Sequence, residues 1–318
     1  MIGKGVEQMP GILIFSENGV VAGQLVTAGL GLKASMIQPL YAAVIGEGEA
    51  VRIAGLGVDK VFVLKGAGGE AARYAEAIAG LASAEQTEVI LVGGTLRGKD
   101  VAARVAAHLQ AGLVTEAQTV LFAEGQLQTT RLIYGGLALA TEATSLPAVA
   151  TIAPQLFDES VSVGHPSEIV PVAVTDSDSR VTIREVNPVI REGVEITAAR
   201  RIVCVGRGLG KQEDLKLVEA LADAVGAEIG CTRGIAEDCR WLPVDRYIGI
   251  SGRKVKPDFY ISLGVSGQIQ HVAGIRDAGI IVAVDTNEKA PIFSVADYGI
   301  VGDLYEVAPL LTAALKKA

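Results

Sequence analysis

Short runs of apolar residues recur along the first half of the chain, with segments of helical character between them. Four of these runs predict buried strands, and they are residues 11–15, 41–45, 60–64 and 89–92. Residues 70–81 and 100–109 predict helices between the strands. Because strands that alternate with helices form parallel sheets, this part of the chain is predicted to be an α/β layer.

After Thr119 the pattern changes to shorter segments in which apolar and polar residues alternate. These segments are residues 120–123, 128–134, 148–152, 170–175 and 180–185. Glu124 and Gly125 form a turn signal between two of them, which is typical of a hairpin. We therefore expect an antiparallel edge or β extension to complete the first domain.

A linker is predicted at residues 191–199, where glycine and charged residues occur without a clear period. It separates a first domain, residues 1–190, from a second domain, residues 200–318. In the second domain, residues 213–225 and 304–318 predict helices. Its predicted strands are residues 200–205, 228–231, 259–263, 280–284 and 292–301. The predicted fold class is α/β with two domains: an N-terminal α/β domain with a parallel sheet and a β extension, and a C-terminal domain with a parallel sheet.

A turn of small residues follows the predicted strand 259–263. Residues 264–267 read Gly-Val-Ser-Gly where a helix is expected to begin, which places His271 one turn into that helix. Parallel sheets bind ligands at the carboxyl ends of their strands, and such a turn directs backbone N–H groups towards a phosphate or an electron-rich ring. A lone histidine is about as often structural as functional, so both interpretations of His271 stay open.

The composition argues against several classes of partner. The formal net charge is −8 and no cluster of Lys and Arg is longer than two, so binding to nucleic acid or to anionic membranes lacks an electrostatic basis. No uncharged stretch is long enough to predict a transmembrane segment. The first arginine is Arg52, which argues against an arginine-rich presequence, and we expect a cytoplasmic prokaryotic protein. Cys204, Cys231 and Cys239 form no CxxC pair and are expected to be reduced structural thiols.

Residues 93–100 match the GxxxxGK pattern of a phosphate-binding loop. Such a loop needs Ser or Thr after the lysine to bind magnesium, and this chain has Asp100 after Lys99. A carboxylate beside the phosphates would repel them, so no nucleotide phosphate site is expected here. We expect a glycine turn in which Asp100 lies near the N-terminus of the next helix.

Three motifs carry a resemblance to a known family. The pattern GxSGxxQH at residues 264–271, APIF at 290–293 and ADYGIVGDL at 296–304 together resemble the flavin-binding signature of the alpha subunit of electron transfer flavoproteins. The resemblance covers nearly the whole chain. It implies one FAD in the second domain and a heterodimer in which the first domain contacts a beta subunit.

The family's cofactor contacts map onto seventeen positions of this sequence. They are Arg207, Gly208, Thr232, Arg233, Ile250, Ser251, Gly252, Arg253, Gly264, Ser266, Gly267, Gln268, Gln270, His271, Asp285, Asp303 and Leu304. The resemblance implies that Arg207 lies near the flavin dinucleotide and that the Ser251 hydroxyl reaches N5 of the ring. It also implies that positive charge on His271 and Arg233 raises the potential of the flavin.

Two positions depart from the family pattern. Ile250 stands where the family usually has Gln and does not keep the amide, a departure that concerns one polar contact to the cofactor and the potential of the flavin. Asp285 stands where Asn is more frequent, and Asn287 stands where the family has an acid. A carboxylate suits ribose hydroxyls better than a diphosphate, so the exchange at Asp285 and Asn287 concerns how the adenosine part is held.

The resemblance implies an electron carrier without substrate-level catalysis of its own. Such a carrier accepts electrons from a flavin dehydrogenase, for example an acyl-CoA dehydrogenase of fatty acid β-oxidation, and passes them to a quinone reductase or another acceptor. A second form of the family bifurcates electrons and takes hydride from NADH on a second FAD in the beta subunit. Outside the family, the alternatives are an NAD-dependent enzyme with His271 as general base and a regulatory nucleotide-binding module.

Overall fold

The computed structural model describes residues 11–36, 38–66, 71–162, 166–174, 184–185, 187 and 195–316. The chain divides into two compact units, residues 1–186 and 187–318. The predicted linker, residues 191–199, lies partly outside the described residues, and its described part contains a short 3₁₀ helix, Ile196–Ala198.

A large, mostly parallel sheet forms the N-terminal unit. Within the described residues its strands are β1 (Gly11–Phe15), β2 (Leu40–Ile45), β3 (Lys60–Gly66), β4 (Thr87–Gly93), β5 (Gly112–Ala123), β6 (Gln126–Ile133), β7 (Ala138–Ser145), β8 (Ala148–Ile152) and β9 (Glu168–Val174). They lie in the order β7-β6-β5-β8-β4-β1-β2-β3-β9. The helices are α1 (Gly19–Met36), α2 (Glu47–Ala54), α3 (Ala75–Ala84) and α4 (Leu96–Leu109).

Side chains that alternate along the central strands divide the N-terminal core into two layers. Ile12 and Ile14 of β1 pack with residues of α1 and α2. Leu13 and Phe15 of the same strand pack on the opposite face with residues of α3 and α4. A strand buried on both faces is apolar throughout, which is why these strands were predictable from sequence.

The predicted β extension is present, but it is smaller than expected. Strands β5, β6 and β7 pair antiparallel, as the hairpin signal at Glu124 and Gly125 predicts. Residues 148–152 and 170–175 were also assigned to this extension, and that was wrong: β8 pairs parallel with β4 and β5 inside the sheet, and β9 pairs parallel with β3. All five residues of β8 are buried, which fits a central position. Of the predicted strand 180–185, residues 180–183 lie outside the described residues.

Two predicted helices of this unit begin elsewhere than expected. The helix predicted at 70–81 is a 3₁₀ turn, Ala71–Tyr74, followed by α3, which extends to Ala84. Helix α4 begins four residues before the predicted Asp100, because the Thr95 side chain accepts a hydrogen bond from the Gly98 amide at 2.8 Å and caps the helix. Asp100 instead forms an ion pair with Arg104, and Lys99 forms one with Glu116.

A separate parallel sheet forms the C-terminal unit. Its five strands within the described residues are β10 (Arg201–Val205), β11 (Glu228–Cys231), β12 (Phe259–Leu263), β13 (Ile280–Asp285) and β14 (Tyr298–Val301), in the order β11-β10-β12-β13-β14. All neighbouring pairs are parallel. The helices are α5 (Leu215–Val225), α6 (Ile269–Val272) and α7 (Leu304–Leu315). Leu215 and Leu304 of α5 and α7 pack on one face of the sheet.

Three predictions for this unit need correction. The strand predicted at 292–301 is a 3₁₀ turn, Pro291–Ser294, followed by the short strand β14, because Pro291 suits the first position of a helical turn. The helix expected directly after Gly264 does not begin until Ile269 and is only four residues long. The predicted helix 213–225 begins as a 3₁₀ turn, Gln212–Asp214, before α5.

None of the helices in the described parts of the chain combines the length and apolar character that crossing a membrane requires.

Candidate functional site at the carboxyl edge of the C-terminal sheet

The carboxyl ends of all five strands of the C-terminal sheet meet at one edge. The chain runs from β10 outward to β11 and then returns past β10 to β12, so the direction in which strands are added changes beside β10. In open parallel sheets this reversal leaves a crevice between the loops that follow the two adjacent strands, and ligands bind there. The loops after β10 and β12 begin at Gly206 and Gly264, two positions at which glycine is required.

Close backbone contacts join these two loops. The Gly206 amide donates to the Leu263 carbonyl and the Gly208 amide donates to the Gly264 carbonyl, both at 3.0 Å. A Cβ on Gly206 would lie 2.3 Å from the Gly264 oxygen, and one on Gly208 would lie 2.6 Å from Gly264 Cα. Gly264 has φ of +59°, a left-handed conformation that favours glycine. The two loops are therefore in direct backbone contact at these glycines.

Two arginines lie beside this crevice. Arg207 is exposed, and its side chain covers Gly234, where a Cβ would lie 2.8 Å from Arg207 Cδ. Arg233 follows β11, and its Nε donates to Glu237 Oε2 at 2.6 Å. This hydrogen bond and the charge of Glu237 raise the pKa of Arg233. Thr232 is held by its amide, which donates to the Val205 carbonyl at 3.0 Å.

The segment 247–253 forms a compact loop held by its own hydrogen bonds. The Arg253 amide donates to the Tyr247 carbonyl at 2.7 Å, and the hydroxyls of Tyr247 and Ser251 lie 3.0 Å apart. Gly252 packs on Tyr247, where a Cβ would lie 2.5 Å from the carbonyl oxygen. The Ile250 side chain is 47% exposed, so the residue that departs from the family pattern presents an apolar surface.

The turn after β12 packs against the APIF segment. The Ile292 amide donates to the Ser266 carbonyl at 3.1 Å. Gly267 has φ of +78°, and a Cβ there would lie 2.3 Å from the Ile292 nitrogen. The side chains of Ser266, Gln268 and Gln270 are exposed at the same edge of the sheet. The sequence motif thus provides a glycine-dependent turn that presents polar side chains to solvent.

His271 does not face solvent with the Gln side chains. It is 7% exposed, its Nε2 lies 2.8 Å from the Tyr260 hydroxyl, and its Nδ1 lies 3.1 Å from the Ile248 carbonyl. Burial lowers the pKa of His271 to about 4, although the hydrogen bond to Ile248 opposes this shift. The expected positive charge on His271 is therefore contradicted, because a buried imidazole with this pKa is neutral at physiological pH. The same burial argues against a general base.

Asp285 and Asp303 stabilise local backbone at the ends of β13 and β14. Asp285 Oδ1 accepts from the Asn287 amide at 2.9 Å, and Asp303 caps α7 by accepting from the Tyr305 amide at 2.9 Å. Leu304 is 4% exposed, and its side chain packs on Gly264. The buried Leu304 side chain thus packs against the turn at Gly264, while the exposed Asp303 lies at the edge of the sheet.

Comparison with known proteins assigns the family. A model of the electron transfer flavoprotein domain matches residues 13–188, and a model of the electron transfer flavoprotein FAD-binding domain matches residues 195–276. A protein of Escherichia coli K12 named putative electron transfer flavoprotein subunit YdiR is 37% identical over 318 residues, which cover 98% of this chain and 100% of that protein. The chain belongs to the electron transfer flavoprotein family, as an alpha-type subunit.

Other relatives agree with this assignment. Protein FixB of Salmonella typhimurium LT2 is 35% identical over 288 residues, covering 88% of this chain and 91% of that protein. Protein FixB of Escherichia coli O7:K1 is 38% identical over 236 residues, covering 72% of this chain and 74% of that protein. As an alpha-type electron transfer flavoprotein subunit, the chain binds FAD and takes part in electron transport, and the family implies a heterodimer with a beta subunit.

The residues at the carboxyl edge fit FAD chemically. Glycine at positions 206, 208 and 264 allows the loops after β10 and β12 to pack backbone to backbone. Arg207 and Arg233 would supply positive charge for a diphosphate, and Ser251 and Ser266 would supply hydroxyls. When FAD is bound it supplies the electron chemistry, and this chain's residues bind and orient it.

Sequence reasoning missed two residues of this site. Gly206 makes the closest approach in the crevice but lies outside the assigned contacts. Tyr260, in the middle of β12, bonds to His271 beneath the edge. A tyrosine inside an otherwise apolar strand is a usable signal, because a buried phenolic hydroxyl normally needs a hydrogen-bond partner.

Proposed function

We propose that this chain is the cofactor-binding half of a heterodimeric electron carrier. In this proposal one FAD at the carboxyl edge receives electrons from a flavin dehydrogenase, such as an acyl-CoA dehydrogenase, and delivers them to a quinone reductase or another acceptor. The observation that carries the proposal is the convergence of exposed polar and cationic side chains around a glycine-lined crevice. His271, the candidate acid or base, is buried and bonded within the protein.

The proposal assigns a task to each group of side chains. Arg207, Arg233 and Arg253 bind the anionic part of the cofactor, because a guanidinium group matches phosphate oxygens and can also stack on a ring. Ser251, Ser266, Gln268 and Gln270 orient the cofactor through hydrogen bonds. Thr232, Gly252, Gly264, Gly267, Asp285, Asp303 and Leu304 shape the loops that carry them.

A beta subunit has a clear physical task at this edge. Ile250 and Ile269 are 47% and 48% exposed beside the polar side chains of the site. Exposed apolar residues that flank a polar cofactor site are covered at little cost by a partner protein. This supports a cofactor pocket whose outer wall is completed by the beta subunit.

The test compares two electron donors under anaerobic conditions. The chain is purified together with its beta subunit, and the flavin absorbance is followed after addition of an acyl-CoA with its dehydrogenase, or of NADH. We expect the flavin to be bleached by the dehydrogenase and to be unaffected by NADH. Rapid reduction by NADH, with two FAD per heterodimer, would contradict the proposal and indicate the bifurcating form.

A further inference from the structure

The loop 247–253 packs on the ring of Tyr247, a residue that is 5% exposed. A Cβ on Gly249 would lie 3.1 Å from both Cε2 and the hydroxyl oxygen of this ring. A Cβ on Gly252 would lie 2.7 Å from Cδ1 and 2.9 Å from Cε1. The two glycines flank Ile250 and Ser251, so the ring supports the part of the loop that carries assigned FAD contacts.

Backbone hydrogen bonds hold the residue that carries this ring. The Ile248 amide donates to the Cys231 carbonyl at the end of β11, at 2.9 Å. The Tyr247 carbonyl accepts from the Arg253 amide at 2.7 Å, which closes the loop. Because the backbone and the ring of Tyr247 are both held, its hydroxyl has a fixed position next to Ser251, whose side chain is exposed.

The hydroxyl groups of Tyr247 and Ser251 lie 3.0 Å apart, so one of them donates to the other. Within the part of the chain that the structure describes, neither hydroxyl has another hydrogen-bond partner. If Ser251 donated, the phenolic proton of the buried tyrosine would have no acceptor, which costs free energy. If Tyr247 donates, both protons are used, because the exposed Ser251 can give its own proton to water or to a ligand. Burial therefore makes Tyr247 the donor.

We propose that Tyr247 is a positioning residue for FAD: its hydroxyl donates to Ser251 and thereby directs the Ser251 proton outward, to an acceptor atom of the bound cofactor. This inference rests on the proposed function, in which Ser251 bonds to FAD. Without the phenolic donor the Ser251 hydroxyl rotates freely, and ordering it opposes the binding of the cofactor.

The same bond makes Ser251 a stronger donor, because successive hydrogen bonds polarise one another. A donor to a ring that gains electrons stabilises the reduced form of that ring and so raises its potential. Tyr247 therefore acts on both the affinity and the potential of the flavin, although it reaches the cofactor only through Ser251.

A double-mutant cycle tests whether Tyr247 acts through Ser251. The apo heterodimer is titrated with FAD for the wild type, Tyr247→Phe, Ser251→Ala and the double variant. We expect Tyr247→Phe to weaken FAD binding about 3- to 10-fold in the wild-type background and to have no effect in the Ser251→Ala background. Phe keeps the ring on which the loop packs, so the variant should fold, and thermal unfolding checks this.

The sign of the change identifies the donor. If Ser251 donated to Tyr247 instead, Tyr247→Phe would release the Ser251 proton, so FAD would bind more tightly and the potential of the flavin would rise. We expect the opposite: a lower potential in Tyr247→Phe, and no further lowering by this substitution when Ser251 is Ala. Tyr74→Phe is the control, since it removes the hydroxyl of a buried tyrosine in the N-terminal unit and should change neither quantity.

The bond itself is measured without FAD, by urea unfolding of the same four apo heterodimers. We expect Tyr247→Phe to raise the unfolding equilibrium constant about 3- to 10-fold in the wild-type background only. Equal effects of Tyr247→Phe in both backgrounds, or an unchanged or raised flavin potential, would overturn the inference while FAD binding by the wild type stays intact. Absence of FAD binding by the wild type would instead contradict the proposed function, and the inference with it, even where unfolding shows the bond.

Discussion

Gly208 and Gly264 are in direct backbone contact at the carboxyl edge of the C-terminal sheet. The Gly208 amide donates to the Gly264 carbonyl at 3.0 Å, and a Cβ on Gly208 would lie 2.6 Å from Gly264 Cα. This contact joins the loops that follow β10 and β12, and Arg207 lies within the first of them. The contact between the two loops therefore requires that position 208 carries no side chain.

Alanine at position 208 is expected to push these loops apart. Overpacking of this kind costs about 1–3 kcal/mol of stability, and we expect FAD binding to weaken by at least about 10-fold. The measurements are urea unfolding and titration of the apo heterodimer with FAD. Gly210→Ala is the matched control in the same loop, since its Cβ would meet only the Tyr305 hydroxyl, at 3.2 Å. Wild-type behaviour of Gly208→Ala would show that the loops have room for a side chain.

Arg233→Ala is expected to weaken FAD binding about 10- to 100-fold, because it removes a charge-assisted contact. The affinity of the variant should also depend less on salt concentration than that of the wild type. Arg104→Ala is the matched control: Arg104 forms the same i,i+4 ion pair, with Asp100, in the N-terminal unit. Equal FAD affinity for Arg233→Ala and Arg104→Ala would exclude Arg233 from the site.

The N-cap of α7 provides a test on stability. Asp303→Ala removes the acceptor for the Tyr305 amide and should cost about 1 kcal/mol in the free energy of unfolding. Asp303→Asn keeps the acceptor and should cost less than about half of that. Urea unfolding of the two variants distinguishes a capping role from a purely electrostatic one, for which Asn would be as destabilising as Ala.

Acid sensitivity follows from the neutral, buried His271. Its pKa falls from 6.5 to about 4 in the folded chain, so the unfolded chain binds one more proton between these values. The corresponding stability is fully present above pH 6.5 and is lost as the pH falls towards 4, by about 3 kcal/mol in total. His271→Gln cannot take up this proton. The difference in unfolding free energy between wild type and variant should therefore shrink on acidification, and a constant difference would contradict the buried neutral ring.

Most strands were predictable because burial on both faces selects continuous apolar runs, as in β1 and β8. Helix α1 was missed for a related reason. Its sequence is rich in glycine and small apolar residues and is buried along much of its length, so it lacks the polar stripe that marks a surface helix. Strand β7 was missed because its alternating residues are mainly alanine and threonine, which give little contrast in polarity.

The candidate site was located from sequence by its glycine turns and by the family resemblance. The protonation state of His271 was not predictable from the glycine turns or the resemblance. Its two partners, Tyr260 and the Ile248 carbonyl, are 11 and 23 positions away in sequence, and the pairing depends on how β12 and the loop 247–253 pack. Every residue type has a backbone carbonyl, so the sequence does not indicate which carbonyl bonds to the histidine. A motif can therefore identify the histidine without indicating its charge.

Hydrogen–deuterium exchange of the heterodimer, compared without and with saturating FAD, tests most directly whether the carboxyl edge holds the cofactor. We predict that FAD protects the loops at 206–210, 249–253 and 264–268. The turns at the opposite edge of the same sheet, which include Asp258 and Gly279, should exchange at unchanged rates. If FAD slows exchange elsewhere in the chain but leaves the exchange rates of the loops at 206–210 and 264–268 unchanged, the placement of FAD at this edge is contradicted.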